Sequence, residues 1–326
     1  MVGTIDFSVA ICTFNGATKL KLLLEKLLNI SQQPIKLNNN QILNWEITIV
    51  DNNSTDNTAE IIHSYQEKFS NNQLRYIFET QQGLAFARRR AIQEVKGSII
   101  GFLDDDNMPD DNWIAAAYEF FQQHPQAAAC GSTINGIYEI EPPAHFERIA
   151  GFLAIINAGK KAFITKRVMP AGAGIVIRKQ AWVECVSPIP KILGRTGNSI
   201  ASKGEEIEAL LYMQAKGWQI WYNPQMEIYH HIPSSRLQKS YLMQLCRSIG
   251  LSRFKTRTIA LPTWKKLPFT IAYLCNDLRK TFKHILKHHQ SLQDDVIARC
   301  ELEFLMASII SPLYHTKIEL SKSLKF

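Results

Sequence analysis

Three adjacent carboxylates, Asp104-Asp105-Asp106, follow the apolar run that ends at Phe102-Leu103 and precede Asn107. Carboxylates packed this closely repel one another unless a cation sits among them. Mg²⁺ and Mn²⁺ prefer oxygen ligands, commonly one or two carboxylates together with substrate phosphates. Alone, the triplet reads equally as a solvated acidic turn or as a cap for the helix that opens at Asp111. A second acid, Asp51, ends another apolar run and could accept a hydrogen bond from a nucleobase N–H. Asn53 to Asp56 read as its turn and cap. Arg88 opens a run of three arginines; its guanidinium matches phosphate oxygens, whereas Arg89 and Arg90 point elsewhere and read as surface groups. Glu205 and Glu206 stand at a helix start, where the dipole favours a carboxylate; on a cleft wall such a group becomes a general base. His230 and His231 lie in an extended segment and face opposite ways, so one of them can be a ligand, and we assign that role to His230. Ala171-Gly172-Ala173-Gly174 lacks the third glycine of a dinucleotide fingerprint, and no Walker A sequence occurs. It reads as a loop approached by a ligand or as a tight turn into a strand.

These groups need elements to hold them. Phe7 to Thr13, Trp45 to Val50, Leu74 to Phe78 and Ser98 to Leu103 are β-rich apolar runs. Between them, Thr18 to Ile30 carries Leu20, Leu23, Leu24, Leu27 and Leu28 at helical spacing. Asp56 or Asn57 caps a helix bearing Ile61, Ile62, Tyr65 and Phe69, and a helix through Leu84, Ala87, Ala91 and Val95 ends at Gly97. Asp111 to His124 is a helix stopped by Pro125. Such strand–helix repeats predict a mainly parallel sheet covered by helices, which binds ligands at the carboxyl ends of its strands. Asp51 and the triplet both fall there. Beyond Cys130 short strands are expected at Ala128–Thr133, Gly174–Arg178 and Gln219–Tyr222, a helix from Gly204 to Lys216, and loops at Pro142-Pro143 and Lys191–Lys203.

The chain has 326 residues, enough for about two domains, and its 46% hydrophobic and 20% charged residues exclude pervasive disorder. No run of ~18 apolar residues predicts a spanning helix, and no secretory signal is visible at the N-terminus. The six cysteines are scattered without a Cys-x-x-Cys pair. That suits a reducing cytoplasm rather than a zinc site or a disulfide framework. Net charge is +8, yet His231 to Gln290 alone holds twelve Lys or Arg against one acid, Asp277, so the remainder is net acidic. This basic region points to an acidic partner, a membrane surface or another protein. Tyr241, Leu242, Leu245, Ile249 and the Trp264–Leu274 stretch either form amphipathic helices on anionic lipid or cap the rest of the chain. Nucleic acid is not expected, because no recognised binding motif accompanies the charge.

Taken in order, these segments resemble glycosyltransferase family 2 over roughly residues 7–232. Ala10-Ile11-Cys12-Thr13-Phe14-Asn15 is similar to the family's opening strand motif, and Val50-Asp51-Asn52-Asn53-Ser54 to its second nucleotide-contact motif. Gly83-Leu84-Ala85-Phe86-Ala87-Arg88 matches Gly-Leu-x-x-Ala-Arg. Asp104-Asp105-Asp106 matches the Asp-x-Asp motif, whose last member binds metal. Gly204-Glu205-Glu206 resembles the Glu-Asp pair whose second residue is the catalytic base. The resemblance implies an α/β protein of GT-A (nucleotide-diphospho-sugar transferase) fold in residues 1–232, with a helical basic extension in 233–326. It implies inverting transfer from a nucleotide-diphosphate sugar, UDP-linked among others, to a saccharide or lipid-linked hydroxyl. Thr13, Phe14, Asn15 and Asp51 would hold the base, and Asp104 or Asp105 the ribose. Asp106, with Asp104 and His230, would hold Mn²⁺ or Mg²⁺. Arg88 would assist the diphosphate, and Glu206 would be the base, with Glu205 as its fallback. Glu206 departs from the usual Asp. No Gln-x-x-Arg-Trp follows, which implies one sugar per encounter. Within the family the chain is most similar to cyanobacterial glycosyltransferases of hormogonium polysaccharide synthesis, and this implies a cytoplasmic protein, peripheral on the inner face of the plasma membrane. Two other readings remain: a nucleotidyltransferase acting on sugar phosphates, whose basic glycine-rich loop is missing, and a catalytically degenerate module tethered to a membrane.

Overall fold

The computed structural model describes residues 4–165, 169–190, 192 and 204–323. The chain divides into two compact units. The first holds residues up to Ile137, Ala154–Gly197 and Glu205–His231; the second holds Tyr138–Leu153 and the chain from Ile232 onward, with residues 198–204.

The first unit is built on one sheet. Strands β1 (Phe7–Thr13), β2 (Trp45–Asp51), β3 (Leu74–Phe78) and β4 (Ile99–Leu103) are joined by helices α1 (Ala17–Ser31), α2 (Thr58–Gln66) and α3 (Leu84–Glu94). After β4 come β5 (Asn107–Pro109), α4 (Trp113–Gln123), β6 (Ala127–Tyr138), β7 (Phe163–Ile164), β8 (Val176–Arg178), α5 (Lys179–Cys185), α6 (Glu205–Ala215) and β9 (Gln219–Ile232). The sheet order is β3-β2-β1-β4-β8-β6-β9-β5, with β7 paired to β9. It is therefore mixed: β1 to β4 run parallel, and β8, β5 and β7 add antiparallel pairings.

Alternation along the strands explains the two covered faces. Phe7, Val9, Ile11, Ile47, Ile49 and Leu103 point to a core shared with α1 and α4, where Leu20, Leu24, Trp113 and Phe121 are buried. Ala10, Val50, Ile100 and Phe102 point the other way, toward Ala87, Ala91 and Ile92 of α3 and Ala209, Leu210 and Met213 of α6. A strand buried on both faces reads as a near-continuous apolar run; β4 does so, whereas β1 is interrupted by the buried Ser8 and β2 by the buried Glu46 and Thr48.

Several boundaries differ from the sequence reading. Helix α3 ends at Glu94, not at Gly97, with Val95 already extended. The next two amides are captured by buried groups of the sheet: Lys96 N–H donates to Glu46 Oε1 at 2.6 Å and Gly97 N–H to Ser8 Oγ at 2.9 Å. Strands β6 and β9 are 12 and 14 residues long, far beyond the expected Ala128–Thr133 and Gln219–Tyr222. Pro224 does not end β9. It lies between the stretch paired with β7 at Trp221 and Tyr222 and the stretch paired with β5 at Ile228 to His230, so its missing N–H interrupts neither ladder. The loop expected at Lys191–Lys203 lies, except for Ile192, outside the described residues.

The second unit is helical: α7 (Ser234–Leu237), α8 (Lys239–Thr258), α9 (Thr263–His288) and α10 (Val296–Ser323). Helix α8 packs closely on α10, where a Cβ added at Gly250 would lie 2.5 Å from the Phe304 carbonyl. Leu242, Leu245, Cys246, Ile297 and Ala298 are buried in this unit. No helix of the described residues is long and apolar enough to cross a membrane.

Candidate active site

Strand register assembles the site. Thr13 pairs with Asp51 across β1 and β2, and Ile11 pairs with Leu103 across β1 and β4. Two residues further along both chains, Thr13 therefore comes beside Asp105, and its hydroxyl donates to Asp105 Oδ2 at 2.9 Å. Gly16 makes this approach possible, because a Cβ there would lie 2.0 Å from Thr13 Oγ1 and 2.7 Å from Asp105 Oδ2.

Asp51 is buried. Its Oδ1 accepts from the Ser54 amide at 2.9 Å and its Oδ2 from the Tyr76 hydroxyl at 3.0 Å. Burial, reinforced by this carboxylate, pushes the Tyr76 hydroxyl up to about 12. Asn15, in the left-handed region at φ 50°, accepts from the Thr55 amide at 2.8 Å, so the ends of β1 and β2 are knitted together around Ser54 and Thr55. Phe14 is half-buried beside them.

The acidic turn after β4 faces β9. Asn107 pairs with His230, the His231 amide donates to the Asp106 carbonyl at 3.2 Å, and His230 Nε2 lies 3.5 Å from Asp106 Oδ1. Adjacent ligands of a six-coordinate ion with ~2.1 Å bonds stand roughly 3 Å apart, so this carboxylate and imidazole need only a small adjustment to share a divalent ion. Carboxylate oxygen suits Mn²⁺ or Mg²⁺, and the imidazole adds one nitrogen donor. Lys19 Nζ supplies positive charge at the same place, 3.7 Å from Asp105 and 3.9 Å from Asp106. Burial pushes the Asp105 carboxyl up to about 6, with Lys19 opposing the shift and Asp106 adding to it.

Arg88 is buried and organises the opposite wall. Its Nη1 donates to Glu205 Oε1 at 3.0 Å and lies 3.8 Å from Glu206, while Nη2 lies 3.9 Å from Asp104. Burial alone would lower its proton affinity, but Glu205, Glu206 and Asp104 together raise it. The guanidinium is thus surrounded by three carboxylates. Glu205 is the more enclosed acid, its side chain 7% exposed against 21% for Glu206. Burial and the neighbouring Glu205 charge push the Glu206 carboxyl up to about 8, with Arg88 pulling the other way. The glycine-rich stretch resolves into two packing contacts. A Cβ at Gly172 would meet Arg88 Nη2 at 2.4 Å, and one at Gly174, where φ is +64°, would meet Ile228 at 2.6 Å.

All eleven residues singled out in the sequence therefore lie along the carboxyl edge of β1, β2 and β4 or on the three elements that face it, α3, α6 and β9. Sequence reasoning missed Lys19, Tyr76 and the role of Asn52. Asn52 Oδ1 accepts from the Gly83 amide at 2.7 Å and its Nδ2 donates to the Gln81 carbonyl at 2.6 Å, which fixes the start of the helix that carries Arg88. The β2–β3 register could have found Tyr76, since Asp51 pairs with Phe78 two residues on. Nothing in the sequence marks Lys19.

The site can be set beside known proteins. The model of glycosyl transferase family 2 matches residues 8–185. The chain is 26% identical over 194 residues to glycosyltransferase AglE of Haloferax volcanii, a match covering 59% of each protein. It is 31% identical over 92 residues to the putative teichuronic acid biosynthesis glycosyltransferase TuaG of Bacillus subtilis, covering 28% of this chain and 34% of that protein. The matches thus span about three fifths or less of these relatives. Among solved structures, the mannosyltransferase PcManGT of Pyrobaculum calidifontis, in complex with GDP-Man and Mn²⁺, aligns with a TM-score of 0.58 at 15% identity. That alignment covers 96% of this chain and 88% of the other. GalNAc-T7 with UDP, GalNAc and Mn²⁺ aligns with a TM-score of 0.52 at 15% identity, covering 80% and 52%. At such identity the likeness speaks for the fold, a GT-A-like α/β architecture with a mixed central sheet. Since the family model takes in more than half of the residues, including the acidic triplet and Arg88, the chain belongs to glycosyl transferase family 2.

Proposed function

We propose that this chain transfers one sugar, with inversion and without processive elongation, from a nucleotide-diphosphate sugar to a hydroxyl of a saccharide or lipid-linked acceptor. The approach of Asp106 to His230 on one side, and of Arg88 to Glu205, Glu206 and Asp104 on the other, carries this reading. Residues 1–232 hold the reaction in this account, and the extension 233–326 meets an anionic membrane surface. The nearest process is synthesis of an extracellular polysaccharide, of which hormogonium polysaccharide is the proposed instance.

Thr13, Phe14, Asn15 and Asp51 bind the nucleobase, Asp51 exchanging its contact with Tyr76 or Ser54 for a base N–H. Asp104 and Asp105 take the ribose. Asp106, His230 and Asp104 are the residues that would hold Mn²⁺ or Mg²⁺, and such an ion supplies positive charge for the diphosphate as it leaves. Glu206 accepts the proton of the acceptor hydroxyl while that hydroxyl's oxygen forms a bond to the anomeric carbon. The bond from that carbon to the diphosphate oxygen breaks with its electron pair on the departing nucleotide. Arg88 is a positioning residue, which fixes Glu205 and keeps Glu206 from rising further in proton affinity.

The test is nucleotide release from UDP-GlcNAc and GDP-Man with Mn²⁺, alongside donor binding by thermal shift. Asp106→Ala should lose about 100-fold or more in activity, the scale of removing a charge-stabilising group. It should also lose the Mn²⁺-dependent part of the thermal shift. Full activity in Asp106→Ala would remove the metal assignment, and pyrophosphate release from a nucleoside triphosphate would favour a nucleotidyltransferase.

A further inference from the structure

The second unit leaves one long helix face uncovered. Trp264, Leu267, Ile271, Leu278, Phe282 and Ile285 of α9 are 74, 71, 55, 50, 63 and 40% exposed. At ~100° per residue their spacing places them on a single stripe. Asp277 and Thr281 are buried and mark the face turned toward α8 and α10. On the arc that runs from the stripe round to the packed face come Arg279, nearest the stripe, then Lys265 and Lys283, then Lys287 and Lys280. The helix thus has three faces: packed, apolar and basic.

Charge sharpens the picture. The helix holds six Lys or Arg and one acid, Asp277. That acid is consumed internally, paired to Arg257 through two hydrogen bonds of 2.5 and 2.9 Å. Among the described residues no ion pair involves the six cations of α9. Helix α8 behaves differently: Arg247 pairs with Glu303 at 2.7 Å, Arg257 with Asp277, and Arg253 stacks on Phe304 at 4.8 Å. Of the two apolar stretches expected either to lie on lipid or to cap the chain, the one in α8 is spent on packing, since Leu242 and Leu245 are buried.

We infer that α9 lies flat on an anionic bilayer, with Trp264, Leu267, Ile271, Leu278, Phe282 and Ile285 inserted among the acyl chains and Arg279, Lys265 and Lys283 reaching the lipid phosphates. A stripe that runs most of the length of a 26-residue helix, with Pro268 inside its second turn, ~39 Å at 1.5 Å per residue, suits an extended surface. Large apolar residues on one face and lysines on the next are the composition of an interfacial helix, and Trp264 at one end is an interfacial anchor. A second copy of this chain fits poorly, because mating the two stripes would bring two basic flanks together. This deepens the membrane contact proposed above but stands on the second unit alone.

The experiment is flotation of the full-length protein with vesicles of phosphatidylcholine, with and without phosphatidylglycerol, at low and high salt. Wild type should float with the phosphatidylglycerol vesicles at low salt and be partly released by high salt. Leu278→Asp/Phe282→Asp should reduce the floated fraction about tenfold or more, and Arg279→Glu/Lys283→Glu should also remove the salt dependence. Both pairs are exposed, so unchanged thermal unfolding will show that the fold is intact. Binding of the variants at the wild-type level, or no flotation of wild type at low salt, would overturn the assignment. So would a self-association that the Asp variants abolish. None of these readouts uses a sugar donor, so failure here leaves the catalytic proposal standing, and failure of that proposal leaves this one.

Discussion

Glu206 shows how one residue ties geometry to measurable pH behaviour. Its carboxyl is pushed up to about 8 from an ordinary 4.5, first by burial and then by Glu205. A base must be deprotonated, so kcat/KM should rise with pH, about tenfold per unit below 8, and level off above it. Glu206→Gln should be flat and at least about 100-fold slower. The same shift has a stability sign. Between 4.5 and 8 the native state binds more protons at this site than the unfolded chain does, so its contribution to stability is lost as pH rises through that window. Glu206→Gln should therefore melt a few degrees above wild type at pH 9, roughly 2–4 °C, with the advantage disappearing below pH 5. An unchanged pH–rate profile in Glu206→Gln would pass the base role to Glu205.

At the scale of elements, the site depends on close approaches that larger residues would forbid. The turn before β8 passes directly over Arg88, and Gly172 leaves that guanidinium its place against Glu205. Gly172→Ala should force Arg88 off Glu205, at a cost of about 1–2 kcal/mol in thermal or denaturant unfolding. With Arg88 displaced, Glu206 loses the charge that pulls its proton affinity down, so the midpoint of the pH–rate profile should move upward. A variant with wild-type stability and an unmoved midpoint would show that the turn yields instead. The register of β5 against β9 works the same way, since a slip of one residue would turn His230 away from Asp106.

At the scale of the molecule, residues 138–153 leave the first unit and join the C-terminal helices. Arg148 is the tie within that second unit. It pairs with Asp295 at 3.0 Å and with Glu301, and His288 Nε2 lies 3.4 Å from its Nη2. His284, His288 and Glu301 are close enough to share a metal ion, but the guanidinium of Arg148 is the cation among them. Burial would raise the Asp295 carboxyl, yet the Ala298 amide and Arg148 hold it below its ordinary range. Stability from such a group is present at neutral pH and lost as pH falls through its native pKa. Arg148→Met should cost about 1–3 kcal/mol at pH 7, because it leaves two half-buried carboxylates without their cation. The difference should shrink toward pH 3 in thermal unfolding, and an equal deficit at both pH values would refute the pairing.

By itself, the sequence determined where the core strands β1, β2 and β4 run, since each is a mostly apolar stretch rich in strand formers, and that Asp51 and Asp104 to Asp106 stand at their carboxyl ends. These are local properties of periodicity and chain punctuation. Only the tertiary structure decided that the sheet continues antiparallel beyond β4 and that β9 carries His230 back to Asp106. It also decided that Arg88 turns to Glu205, and that Lys19 and Tyr76 complete the edge. Each of these depends on a partner more than twenty residues away, and side-chain type or spacing encodes no such distance.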